Sequence, residues 1–159
     1  GPGAIRSNLC DDEIEEKIND ALDQLKWAKG MNNHMGSKIM KDKIIVREIL
    51  SLVKERNIYF LNSRTEESEF ASDLSKELGI VYFQRDIFLD NRKNEYYISK
   101  AMNQLEKIAF KKGYAIGIGH VGGQGGKIAV ETINKMSKDL EEEGIKFVYL
   151  SQIQEHSHK

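Results

Sequence analysis

The feature that most constrains this chain is a strict alternation of helix-period and strand-like segments along its 159 residues. Apolar residues recur at helical spacing over residues 11–29 (Ile14, Ile18, Ala21, Leu22, Leu25) and 42–56 (Ile45, Ile49, Leu52, Val53). The same spacing returns over 67–78, over 95–112 (Ile98, Ala101, Met102, Leu105, Ile108, Ala109), and through Ile128, Ile133, Met136 and Leu140. Gly30, Gly79, Gly113 and Gly144 stand where these helices should stop. Between them lie β-branched and aromatic runs: Ile58-Tyr59-Phe60-Leu61, Ile80-Val81-Tyr82-Phe83, Ala115-Ile116-Gly117-Ile118-Gly119 and Phe147-Val148-Tyr149-Leu150. A shorter apolar-polar stretch, 31–37, holds the first strand position. Such alternation predicts an α/β fold: a parallel sheet with right-handed crossovers. Runs that are apolar on both faces fit strands buried between helices. A single domain is expected over residues 1–153, with a polar tail at 154–159 that frays.

Composition removes some function classes. A net charge of -1 and a pI near 6.5 give no electrostatic footprint for nucleic acid or an anionic membrane. No apolar run approaches the ~18 residues of a membrane-spanning helix, and no signal peptide is visible. The single Cys10 excludes an internal disulfide.

In parallel α/β folds, sites form beyond the carboxyl ends of strands. Polar and metal-capable residues gather there: His34 and Ser37; Asn62, Ser63 and Arg64; Arg85, Asp86 and Asp90; His120; and Ser151 with Gln152. The opposite edge offers mostly plain helix exits. Each residue also has a bland reading. His34 is either a ligand or a loop-stabilising imidazole. Arg85 and Asp86 are either a functional pair or a structural ion pair. Arg64 either faces a ligand or bonds loop carbonyls. The tail tract His156-Ser157-His158 resembles a metal tract but reads as solvated.

Gly117-Ile118-Gly119-His120-Val121-Gly122 matches the Gly-rich phosphate-cradle pattern between a strand and a helix. The acidic residue expected at the end of the next strand is absent, since that strand ends Leu150-Ser151-Gln152. A bulky His and Val at the turn would also crowd a pyrophosphate.

Five ordered stretches make the sequence resemble the divergent polysaccharide deacetylases: Gly1-Pro2-Gly3-Ala4-Ile5, Met31-Asn32-Asn33-His34-Met35-Gly36-Ser37, Tyr59-Phe60-Leu61-Asn62-Ser63-Arg64-Thr65, Arg85-Asp86-Ile87-Phe88-Leu89-Asp90 and Ala115-Ile116-Gly117-Ile118-Gly119-His120. The resemblance covers nearly the whole chain. It implies a (β/α) barrel-like fold, here an incomplete barrel, because the family's upstream strand ending in an Asp-Asp pair and its His-Leu-Pro segment do not occur. A second departure is Asn62, where the family usually has Asp; an amide hydrogen-bonds but supplies no anion.

The resemblance further implies a hydrolase that removes acetyl groups from a polysaccharide or amino sugar, assisted by zinc or another divalent metal. Under it, His34 is the metal ligand, His120 the general acid or oxyanion partner, and Arg85 with Asp86 an orienting pair. Arg64, Asn62, Ser63 and Asp90 shape the substrate rim. An extracytoplasmic location is implied as well. Two other functions stay open: a catalytically inactive glycan-binding or scaffold module, and a nucleotide or phosphate binder using the Gly-rich loop. An incomplete barrel exposes sheet edge, so the chain is expected to pair with itself or with the missing upstream segment.

Overall fold

The computed structural model describes residues 3–34, 36–65 and 69–156. Gly1 and Pro2, Met35, the helix start at Glu67, and Ser157, His158 and Lys159 of the tail lie outside the described residues. The chain divides into two compact units, Gly1–Gln84 and Arg85–Lys159, within the span read from sequence as one domain.

The first unit runs α1 (Asp11–Gln24), β1 (Gly30–Asn32), α2 (Lys43–Glu55), β2 (Tyr59–Asn62), α3 (Glu69–Leu78) and β3 (Tyr82–Gln84). A helix begins where side chains satisfy its first amides. At α2, Asp42 does so by accepting the N–H groups of Ile44 and Ile45 at 3.0 and 3.3 Å. At α1, Glu13 reaches back to accept the Cys10 N–H at 2.9 Å, which holds its carboxyl below the usual range. The strands form a parallel sheet in the order β1-β2-β3, with Met31 beside Phe60 and Leu61 beside Phe83. Ile14, Leu50, Val53 and Leu74 are buried against Phe60. Each such side chain contributes about 1.5–3 kcal/mol on leaving water. The Phe60 and Tyr82 rings stack across β2 and β3 at 6.1 Å.

The second unit runs β4 (Ile87–Phe88), α4 (Glu95–Lys112), β5 (Gly117–Ile118), α5 (Gly126–Glu142) and α6 (Leu150–His156). β4 and β5 pair in parallel, Ile87 beside Gly117 and Phe88 beside Ile118. Asn94 caps α4 by accepting the Tyr97 N–H at 2.8 Å. Gly113 ends it at φ +87°, a conformation that suits glycine alone among ordinary residues. Leu89, Ile98, Met102, Ala129 and Leu140 make the core.

The fold class stands as expected, α/β with parallel strands, and the bounds of α4 match the reading from sequence. Three expectations are corrected. Phe147–Leu150 forms no strand: the Tyr149 N–H is accepted by the Gln152 side chain at 2.9 Å, and its carbonyl accepts the Gln152 N–H. That turn starts α6, which takes Leu150 into a helix and runs to His156. A short apolar run has no period that separates strand from helix, so a local cap decides. Gly30 opens β1 instead of closing α1, because a Cβ there would fall inside the Tyr59 ring on the neighbouring strand. β4, too short to announce itself by pattern, follows Arg85 and Asp86, so these two residues precede a strand as well as follow one. Among the described residues no helix is long and apolar enough to cross a membrane.

Candidate functional site

In the second unit, the chain beyond β4 and the chain beyond β5 meet through two residues. Asp90 closes the run that begins with β4, and its side chain is 0% exposed. Its Oδ2 accepts the His120 backbone N–H at 2.6 Å, and its Oδ1 lies 3.0 Å from His120 Nδ1. A carboxylate offers only acceptors, so Nδ1 carries the proton and Nε2 is the basic nitrogen. The His120 side chain is 33% exposed. Backbone and imidazole are thus fixed by one buried group, the arrangement that orients a histidine for proton transfer.

Phe88 supports the pair: its ring lies nearly parallel to the imidazole at 6.0 Å, and the Arg85 guanidinium sits 3.8 Å over the same phenyl ring. Glycine places the loop. Gly125 adopts φ +114°, and a Cβ on Gly126 would meet the Val121 Cα at 2.9 Å and the His120 carbonyl at 3.0 Å. The α5 start therefore presses against the backbone that carries His120. The Gly-rich pattern serves this turn. A 3₁₀ turn at Gly122–Gln124 intervenes and the helix starts at Gly126, beyond the last glycine of the pattern. A phosphate cradle needs the helix to open at that glycine.

Asp86 has a structural task. It accepts the Ile116 N–H at 2.8 Å and pairs with Lys112 at 3.1 Å, fastening the end of α4 and the start of β5 to β4.

In the first unit the strand-end residues hold one another. Asn62 is 1% exposed: its Nδ2 donates to Tyr82 Oη at 2.8 Å, and its Oδ1 accepts the Arg64 N–H at 2.8 Å. That second bond stabilises Arg64 at φ +48°, an uncommon region for a residue with a Cβ. Buried Ser63 donates to the Asn33 carbonyl at 2.6 Å and receives the Asn32 amide at 3.1 Å, while its N–H goes to Asn33 Oδ1 at 2.8 Å. Asn32 and Asn33, which the reading from sequence passed over, tie β1 to β2; neighbouring amides at two strand ends were the available signal. His34 is exposed just beyond β1, and Arg64 is exposed beyond β2.

Among the described residues, the zinc or other divalent metal implied by the resemblance finds no complete donor set. Among the described residues no group of three or more His, Cys, Asp and Glu is placed to hold a metal ion. Asp90 and His120 are two donors already bonded to each other, and the residues at the ends of β1 and β2 other than His34 are amides, a hydroxyl and a guanidinium. A zinc site needs at least three protein ligands of the anionic or imidazole kind.

A family model described as divergent polysaccharide deacetylase matches residues 1–154. The uncharacterized protein YibQ of Escherichia coli is 33% identical over 116 residues, covering 73% of this chain and 36% of that protein. An uncharacterized protein of Haemophilus influenzae is 30% identical over 118 residues, covering 74% and 42% respectively. The crystal structure of an uncharacterized protein from Agrobacterium tumefaciens shares the fold with a TM-score of 0.86 at 19% identity, over 96% of this chain and 61% of that one. The chain therefore spans about two fifths of the length of the curated relatives it matches.

Proposed function

This chain belongs to the divergent polysaccharide deacetylase family, and on that premise we propose that it carries the proton-transfer part of a hydrolase that removes acetyl groups from a polysaccharide or amino sugar. The observation that supports this reading is the buried Asp90 bonded to both the N–H and Nδ1 of His120. Hydrolysis of an acetamido group adds water to the acetyl carbonyl and breaks the C–N bond, leaving acetate and an amine. The amine leaves readily only when protonated. His120 delivers that proton from Nε2, and Asp90 stabilises the imidazolium that precedes delivery. Phe88 lies nearly parallel to the imidazole, and Arg85 lies on Phe88.

The barrel-like fold, here incomplete, the extracytoplasmic setting that a glycan substrate calls for, and pairing with itself or with an upstream segment belong to the same proposal. Zinc enters the test and not the steps, since the described residues provide His34 but no complete ligand set.

A second reading, an inactive glycan-binding or scaffold module, is favoured by one observation: Asn62 stands where the family usually has an acid, and both ends of its amide are committed to Tyr82 and Arg64. Acetate release from N-acetylated chitooligosaccharides separates the two. The assay should be run with and without added zinc, with zinc content measured on the chain and on His34→Ala. Release that falls at least about a hundredfold in His120→Asn supports the hydrolase. Glycan binding without release, in this chain and in the chain extended by the upstream strands, overturns it in favour of the module.

A further inference from the structure

The second unit contains a cavity of about 370 Å³ that neither Asp90 nor His120 lines. Its polar and aromatic wall is Arg92, Asn94, Tyr96, Tyr97, Lys100 and Gln104, from the loop before α4 and from the first three turns of that helix, over Ile87 and Ala101. The volume lies at the small end of ligand sites, about 300–1,000 Å³.

Three properties of the wall point to one chemistry. The first is charge. Arg92 and Lys100 are both exposed, and no described carboxylate pairs with either. Glu95, the acid on the adjacent first turn, is engaged by Lys135 on α5, which raises the Lys135 pKa and draws the negative charge off the cavity. The second is aromatic surface. The Tyr96 ring is 79% exposed, while Tyr97 is half-buried beneath the Arg92 guanidinium at 6.0 Å and receives the Asn91 amide on its hydroxyl at 3.4 Å. The third is preorganisation. Asn94 is fixed by capping α4 through its Oδ1, so that its Nδ2 is carried into place with the helix start.

A tyrosine face takes the C–H side of a sugar ring, amides of the Asn94 and Gln104 kind take hydroxyls, and two cations take a carboxylate or phosphate. We propose that this cavity binds an acidic sugar residue of a glycan, with its anionic group on Arg92 and Lys100 and its ring on Tyr96. The choice of a sugar over a bare anion rests on the glycan reading above; the cationic wall stands without it.

The experiment is calorimetric titration of the 159-residue chain with digalacturonic acid, with neutral digalactose and with inorganic phosphate, beside amide shifts from ¹⁵N spectra. Digalacturonic acid is expected to bind in the millimolar range or tighter and to shift amides over 92–104. Digalactose should bind at least about tenfold more weakly, and the double variant Arg92→Gln, Lys100→Gln should lose about tenfold or more of the digalacturonate affinity. Tyr96→Ala should weaken it further without unfolding, since the ring is exposed. No shift with digalacturonic acid on the order of 10 mM, or equal affinity in the double variant, overturns the proposal. Phosphate binding as tightly as the acidic disaccharide overturns the sugar and leaves a small-anion site. His120→Asn should bind digalacturonic acid unchanged. Loss of acidic-sugar binding with acetate release intact sinks this inference alone; the reverse pattern sinks the hydrolase alone.

Discussion

Asp90→Asn is the sharpest test of how His120 is held. The carboxylate accepts two bonds, from a backbone N–H at 2.6 Å and from Nδ1 at 3.0 Å, with its side chain fully buried. An amide of the same shape keeps one acceptor and gains one donor. The backbone N–H cannot change its role, so the amide oxygen must stay on it. The amide NH₂ then faces Nδ1, which can receive it only by surrendering its proton, and the imidazole changes to the tautomer protonated at Nε2. Both contacts survive in neutral form. A hydrogen bond to a charged group contributes about 1.5–3 kcal/mol and a neutral one about 0.5–1.5 kcal/mol, so two bonds weaken by about 2–3 kcal/mol together. Discounting for the partly exposed imidazole gives a net loss of about 1–2 kcal/mol, or a fall in Tm of about 2–8 °C for a chain of this size. Asp90→Ala leaves both donors unanswered and should lose about twice as much. The assay is a thermal melt paired with long-range ¹⁵N–¹H correlation of the imidazole, which reads which ring nitrogen carries the proton. Wild type should show Nδ1–H and the variant Nε2–H. A variant as stable as wild type that still shows Nδ1–H would refute the reasoning, because Asp90 would then not be what fixes the ring.

Four shorter expectations concern the first unit. Gly30→Ala places a methyl group inside the Tyr59 ring, which is itself set edge-on to Phe83 at 5.6 Å, so displacing the ring should lower stability by about 1–3 kcal/mol in denaturant titration. Glu48 is held above the usual carboxylate range by burial and then by Asp11, Glu15, Glu55 and Asp12, so its ionisation opposes folding above that raised value and ceases to matter below its ordinary one. Glu48→Gln should therefore stabilise the chain by about 0.2–0.5 kcal/mol at pH 7, with the gain vanishing by about pH 4 in melts across that range. Arg64→Gly relieves a left-handed backbone at φ +48° but loosens the unfolded chain, so chemical denaturation should find it within about 1 kcal/mol of wild type. Asn62→Ala, which strands the Arg64 N–H and leaves the Tyr82 hydroxyl only its longer bond from Gln84, should lose about 1–3 kcal/mol by the same measurement.

Long helices were legible in the sequence because their apolar period repeats over several turns and a cap ends them. Residues 95–112 were read from Ile98, Ala101, Met102 and Gly113, and the same residues bury and cap α4. Strands of two or three residues hold no period to read. β4 is Ile87–Phe88 alone, and of Phe147 to Leu150 only Leu150 enters a helix, through a turn closed by Gln152 that no strand propensity encodes. At the candidate site the positions were legible, since polar residues beyond strand ends are conspicuous, but their partners were not. Nothing in Arg85-Asp86 as neighbours foretells that Asp86 fastens Lys112 and the Ile116 N–H while Arg85 lies on Phe88. Asp90 was placed on a substrate rim, whereas its buried carboxylate holds His120 across an interval of 30 residues. Residue type and strand position give an edge; which side chains share a hydrogen bond on it depends on the loop path.

Asn62 shows how far that distinction reaches. If packing alone demanded an amide there, an acid would not fit. The bonds say otherwise. Asn62 Oδ1 already accepts the Arg64 N–H, and Tyr82 Oη, which now receives the Asn62 amide at 2.8 Å and the Gln84 amide at 3.4 Å, can turn its hydroxyl to donate. Asn62→Asp thus meets two donors, with Gln84 still serving the tyrosine oxygen. At 1% exposure the new carboxylate loses its hydration, which pushes its pKa upward and makes its ionisation oppose folding. The penalty applies above that raised pKa and disappears as pH falls below the ordinary aspartate value near 4. Melts from pH 4 to 8 should show the variant close to wild type at the acid end and about 1–3 kcal/mol less stable at the neutral end. A variant unfolded throughout would mean that the geometry requires the amide. A variant that folds as expected means that the absence of charge at the end of β2 is a choice of chemistry, independent of the packing, and that a carboxylate can be restored there for the acetate-release assay without rebuilding the strand.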